Sequence, residues 1–130
     1  VDRPAIAKEL AKRAQRLSRK LPVFLEVNVG GEETKAGVSP EDLPALAELV
    51  LSLENLSLRG LMTIPPYRED PEEVRPFFAR LRKLLEELKE RFPEAPLSEL
   101  SMGMSHDFEV AIEEGATIVR IGTALFGPRG

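Results

Sequence analysis

Apolar positions along the chain follow two rhythms that take turns. Over residues 71–91, Val74, Phe77, Phe78, Leu81, Leu84, Leu85 and Leu88 recur at steps of three and four, which predicts a helix with one face buried against a sheet. Residues 40–53 repeat the pattern with Leu43, Leu46, Ala47, Val50 and Leu53. Residues 4–19 do so more weakly with Ile6, Leu10, Ala14 and Leu17. A short fourth helix is predicted over residues 105–114, stopped by Gly115. Three starts carry a capping residue closely followed by proline: Asp2 with Pro4, Ser39 with Pro40, and Asp70 with Pro71. Proline near the first helical position forfeits no hydrogen bond, so these pairs mark helix entries. Between the helices lie segments of strand character at residues 23–29, 58–64, 97–102 and 117–121. Strand and helix alternate, which argues for an α/β fold on a parallel sheet.

The segments after the strands are longer and richer in Gly, Pro and charge than the return from the first helix through Lys20 and Leu21. In (β/α)8 barrels the functional loops sit at the strand C-terminal ends. A complete barrel needs about 200 residues or more. The 130 residues here fit about four β/α units, the C-terminal half of such a barrel, as a single unit over 1–130. Charged residues make up 31% of the chain and the formal net charge is -4, with both signs interspersed, which argues against nucleic acid as a partner. There is no cysteine, so disulfides and thiolate metal sites are excluded. No apolar run approaches a membrane span, and a cytoplasmic location is expected.

Two of the predicted strands end in turns of small and hydroxyl-bearing residues, Met102-Gly103-Met104-Ser105 and Ile121-Gly122-Thr123-Ala124. Side by side, the backbone N–H groups of Gly122 and Thr123, the hydroxyls of Ser105 and Thr123, and the start of a helix at Ser105 would hold a phosphate dianion. The alternatives are a plain turn at Gly122 and Thr123 and a simple helix cap at Ser105. Arg120, between Val119 and Ile121, needs a partner wherever it is buried, and Glu26 is one candidate. Asn28 and Met62, near the ends of the first two strands, are candidate pocket residues or ordinary turn and core residues. Lys35 reads as a solvated loop lysine, with an amine at the pocket mouth as the alternative. His106 and Asp107 suggest an acid/base dyad, but neighbours on a helix do not face each other, so an exposed first-turn histidine is expected. The pairs Glu32-Glu33, Glu72-Glu73 and Glu113-Glu114 read as solvated faces or helix-dipole charges.

The string from Leu100-Ser101-Met102-Gly103-Met104-Ser105 through Asp107, Glu109, Ala111-Ile112, Gly115 and Thr117 to Val119-Arg120-Ile121-Gly122-Thr123-Ala124, Phe126 and Gly127 resembles the C-terminal signature of the pyridoxal phosphate homeostasis proteins. These are single-domain relatives of the alanine racemase barrel. The likeness extends through Arg59-Gly60-Leu61-Met62-Thr63-Ile64-Pro65, Leu25-Glu26-Val27-Asn28-Val29, Glu33-Thr34-Lys35-Ala36-Gly37 and Val1-Asp2-Arg3. It implies a barrel of the alanine racemase N-terminal type that binds pyridoxal 5'-phosphate (PLP), with Ser105, Gly122 and Thr123 on the phosphate and Arg120 facing the pyridine nitrogen. A cation there disfavours ring protonation and weakens the cofactor as an electron sink. The resemblance therefore implies cofactor binding and homeostasis, with PLP-accepting apoenzymes as possible partners, rather than strong catalysis. The family's Schiff-base lysine lies at the end of the first barrel strand, and no position here matches it. The chain thus reads as a C-terminal fragment whose outer strands are unpaired edges that invite self-association or pairing with an N-terminal half. Two rival readings are an amino-acid racemase, which needs a tyrosine base from a second domain whereas Tyr67 lies in a loop, and a phosphosugar-type barrel enzyme.

Overall fold

The computed structural model describes residues 1–30 and 37–120, with only the backbone of Arg120. Its four strands, β1 (Leu21–Glu26), β2 (Leu56–Met62), β3 (Glu99–Met104) and β4 (Ile118–Arg120), form one parallel sheet in sequential order β1-β2-β3-β4. Four helices, α1 (Pro4–Arg16), α2 (Leu43–Ser52), α3 (Arg75–Arg91) and α4 (Phe108–Glu113), alternate with them. This is the expected arc of a half barrel. Alternation puts Val23, Leu25, Val27 and Val29 of the first strand region into a core with Leu58, Leu61, Leu100 and Met102, against Leu46 and Val50 of α2 and Phe78, Leu81 and Leu85 of α3. Phe24 and Met62 are only half buried, and Met104 and Ile118 are exposed.

Helix limits differ from the sequence pattern for identifiable reasons. Helix α1 stops at Arg16 rather than 19 because Ser18 is left-handed (φ 53°), with Arg19 N–H donating to Ala14 and Ser18 N–H to Gln15. These are the two hydrogen bonds of a Schellman cap, built here without glycine. Asp2 does not cap α1. Its carboxylate instead accepts from the Gly37 N–H (3.1 Å). Ser39 caps only a turn, accepting from the Asp42 N–H (3.2 Å), because Pro44 has no N–H and the α-helical ladder begins at Leu43. Asp70 does cap, accepting from the Glu72 N–H (3.0 Å), but the element it opens is a 3-10 turn (Pro71–Glu73), and Pro76 restarts the register so that α3 opens at Arg75.

The free side of β1 is less open than the strand pattern suggests. The Val1 amino group donates to the Phe24 carbonyl (3.0 Å), and Glu26 N–H donates to Val1 (2.8 Å). Val38 N–H donates to Glu26, and Asn28 N–H donates to Val38 (2.8 and 2.9 Å). Val1 and Val38 therefore already occupy part of that edge, contrary to the bare edge expected there.

The Asp2 clasp ties this edge to the end of the loop at Gly37. Burial raises the cost of ionising Asp2, but the Gly37 N–H and the Arg3 guanidinium outweigh it and hold the carboxyl below the ordinary 3.8. Its stabilising contribution is therefore complete above that value and is lost as pH falls through the depressed one. In an NMR titration the Gly37 amide shift is expected to move with a midpoint below 3.8. A midpoint at or above it would deny the clasp.

Candidate functional site

Parallel β/α connections bring every strand's C-terminal end to one rim. Asn28 lies two residues beyond β1, Met62 ends β2, Ser105 is the first residue after β3, and the Arg120 backbone ends β4. Four of the six residues singled out for cofactor contact thus share that rim. Gly122 and Thr123, the other two, lie outside the described residues, as does Lys35. The proposed pairing of Arg120 with Glu26 lies outside them as well, because it concerns the Arg120 side chain. In the ladder, Glu26, Met62, Ser101 and Ile118 form one row across the sheet, and Met104 pairs with Arg120 nearer the rim, three residues further along β3 and two along β4.

Gly103 turns the chain at the end of β3. Its φ is +102°, and a Cβ there would stand 2.7 Å from the Ala111 Cβ and 3.2 Å from Val119 Cγ1. Only glycine lets α4 pack so closely on β3 and β4. Beyond it the Asp107 carboxylate accepts from the Met104 N–H (2.8 Å) while Asp107 N–H donates to the Met104 carbonyl (3.1 Å). This double closure delays the helix, so α4 begins at Phe108 with Asp107 at the capping position, not at Ser105. The expectation of a helix N-terminus at Ser105 is corrected accordingly, and with six residues α4 offers no substantial dipole to an anion. Ser105 keeps a half-buried hydroxyl with no hydrogen-bond partner among the described residues.

His106 is exposed, as expected, though it lies in the turn before the helix. Its Nε2 stands 2.8 Å from the Arg68 carbonyl, and its ring lies against Tyr67 with centroids 5.0 Å apart. A carbonyl only accepts, so Nε2 carries the proton in this contact. With Asp107 committed to Met104, no dyad forms. Two rim contacts escaped the sequence reading. The buried Thr63 hydroxyl donates to the Val27 carbonyl (2.8 Å), and Thr63 N–H donates to Ser101 (3.2 Å), joining the ends of β1 and β2 to the middle of β3. Arg80 of α3 donates from Nη1 to the Val29 carbonyl (3.2 Å). A threonine directly after an apolar strand is a usable signal for the first contact; a helical arginine carries none for the second.

Of the acidic pairs, Glu32-Glu33 lies outside the described residues, Glu72 and Glu113 are exposed as expected but ion-paired, and the Glu114 side chain is largely buried in an ion pair. Arg75 Nε and Nη2 grip both Glu72 oxygens (2.8 and 2.9 Å), and the same guanidinium bonds Glu113 and, at 2.8 Å, Glu114. These contacts push the arginine's pKa further up and hold Glu72 below the usual carboxylate range. A cleft of about 340 Å³ beside Ser105 is lined by Asp70, Glu72, Asp107 and Glu109. Four carboxylates make this cleft unfavourable for a dianion. A larger cleft of about 550 Å³, lined by Lys20, Leu56–Leu58 and Arg91 among others, lies at the opposite, N-terminal ends of the strands. No cluster of metal-ligating side chains is present among the described residues, and no helix among them is long and apolar enough to cross a membrane.

A parallel arc of β/α units with its hydroxyl-bearing turn at the strand C-terminal rim defines the class of protein. The chain belongs to the alanine racemase N-terminal domain family, whose profile matches residues 1–130. Within that family it is similar to the pyridoxal phosphate homeostasis protein of Aquifex aeolicus, 60% identical over 129 residues, which are 99% of this chain and 56% of that protein. Among solved structures, PipY of Synechococcus elongatus without PLP superposes with a TM-score of 0.90 at 40% identity, covering 98% of this chain and 59% of PipY. PipY with PLP bound gives 0.88 at 39% identity, covering 98% and 58%. The chain spans about half the length of the curated relatives it matches.

Proposed function

We propose that this chain forms the phosphate- and ring-contacting half of a PLP-binding barrel whose role is to hold the cofactor rather than turn over a substrate. The observation that carries the reading is the Ser105 hydroxyl, half buried and unpartnered among the described residues at the strand C-terminal rim, in a chain that is 39% identical to a protein solved with PLP bound. Ser105, with Gly122 and Thr123, anchors the phosphate; Asn28 and Met62 border the ring; Arg120 faces its nitrogen. When bound, PLP supplies an electron sink, and a cation at that nitrogen keeps the sink weak. The half-buried Phe24 and Met62 and the exposed Ile118 leave the concave side of the arc open to a complementary set of β/α units, either a second copy or an N-terminal half.

No lysine here matches the family's Schiff-base position, so the chain is expected to bind PLP without a covalent bond. Incubation with PLP, borohydride reduction and mass spectrometry should leave no single stoichiometric adduct. A specific adduct on Lys35 would refute this part of the reading and give that loop a chemical role.

A further inference from the structure

We propose that Arg75 is a positioning residue for the anion site, bracing α4 and thereby the 104–107 turn that presents Ser105. The inference rests on the proposed phosphate role of Ser105. Arg75 stands at the first position of α3, yet its guanidinium is shared between its own entry turn, through Glu72, and the far end of α4, through Glu113 and Glu114. Arg82, two turns further along α3, adds a second contact to Glu114 at 3.5 Å.

Three features make α4 dependent on this brace. At six residues it is too short to hold its own geometry, because helices of that length are stabilised by packing rather than by their internal hydrogen bonds. It ends at Glu113 with Glu114 directly after it, two adjacent carboxylates that repel each other, so the cations of α3 offset a local repulsion. Its other end is tied to the same β2–α3 connection, since His106 bonds the Arg68 carbonyl and stacks near Tyr67. The connection running from residue 65 to 75 therefore grips the 104–114 segment at both ends. The same segment closes onto Met104 through Asp107 and leads through Thr117, whose hydroxyl accepts from the Leu100 N–H (2.9 Å), into β4. Releasing the Arg75 end frees both neighbours of the rim.

The test compares Arg75→Gln and Arg75→Lys with the unmodified chain, reading PLP and inorganic phosphate affinity by calorimetry and amide exchange residue by residue. Removing the charge is expected to weaken PLP about three- to tenfold, the range of changes transmitted through packed elements. It should also speed exchange at residues 104–114 while leaving α2 unchanged. Lysine, which keeps the charge but loses the fork, should fall between the two. If Arg75→Gln leaves exchange in 104–114 at the unmodified rate, or speeds it equally in every helix, the brace is overturned. If exchange there quickens but PLP affinity holds, the positioning role is overturned. Should the unmodified chain bind neither PLP nor phosphate, the proposed function fails, and the positioning role that rests on it fails too; the exchange data then report on the ion-pair brace alone.

Discussion

Replacing Gly60 with alanine is expected to disrupt folding rather than trim stability. A Cβ at Gly60 would lie 1.9 Å from the Glu99 carbonyl oxygen and 2.6 Å from its carbon. Both are backbone atoms of a strand paired in register with Gly60, so no side-chain rotation relieves the clash. Gly60 is also paired with Phe24 on the other side, just where the register slips past Arg59, so β2 has no free direction in which to move. Forced overpacking of this kind costs about 3 kcal/mol or more, a large part of a typical domain's total. Thermal melting followed by circular dichroism should show a fall of about 10 °C or more, or no cooperative transition at all. A melt within a few degrees of the unmodified chain would mean that β2 and β3 are less closely apposed than described.

Anchoring and electronics should separate at the rim. On the proposed assignment, Ser105→Ala or Thr123→Ala would remove a hydroxyl donor to the phosphate, a hydrogen bond to a charged group worth about 1.5–3 kcal/mol, so PLP affinity is expected to fall roughly tenfold or more. With Arg120 at the ring nitrogen as proposed, Arg120→Gln should leave affinity within a few-fold but shift the bound cofactor's visible spectrum and its pH dependence, because a neutral neighbour would no longer oppose ring protonation. Equilibrium binding and spectra of the three variants, with circular dichroism to confirm folding, make the comparison. An unfolded Arg120→Gln, or one with an unchanged spectrum, favours the structural ion pair with Glu26 instead.

The kind and order of the elements were legible because burial on one face enforces period. Val74, Phe78, Leu81, Leu85 and Leu88 are the buried line the spacing indicates, and Gly115, left-handed at φ +104°, ends α4 where expected. Element ends were legible only where one residue decides them. Ser18 shows why: a serine accepted the left-handed cap position that the pattern reserves for glycine. Pro44 and Pro76 shifted two helix starts because a proline's missing N–H acts on the ladder behind it, whichever residue caps the turn before it. At the rim, strand-helix alternation alone grouped Asn28, Met62, Ser105 and Arg120. It set the helix start at Ser105, whereas α4 opens at Phe108 after Asp107, because the start depends on the turn that follows Gly103 and not on residue type alone. The Arg75 contacts to Glu113 and Glu114 span nearly forty residues, and local pattern holds no trace of them.

The most direct measurement of the central claim is a calorimetric titration of the chain with PLP, with pyridoxal lacking the phosphate, and with PLP in the presence of inorganic phosphate. A phosphate-anchored site predicts that PLP binds, that pyridoxal binds at least tenfold more weakly, and that phosphate competes with PLP. Equal binding of PLP and pyridoxal, or no binding of PLP at all, would contradict the assignment of the rim around Ser105 as a cofactor phosphate site.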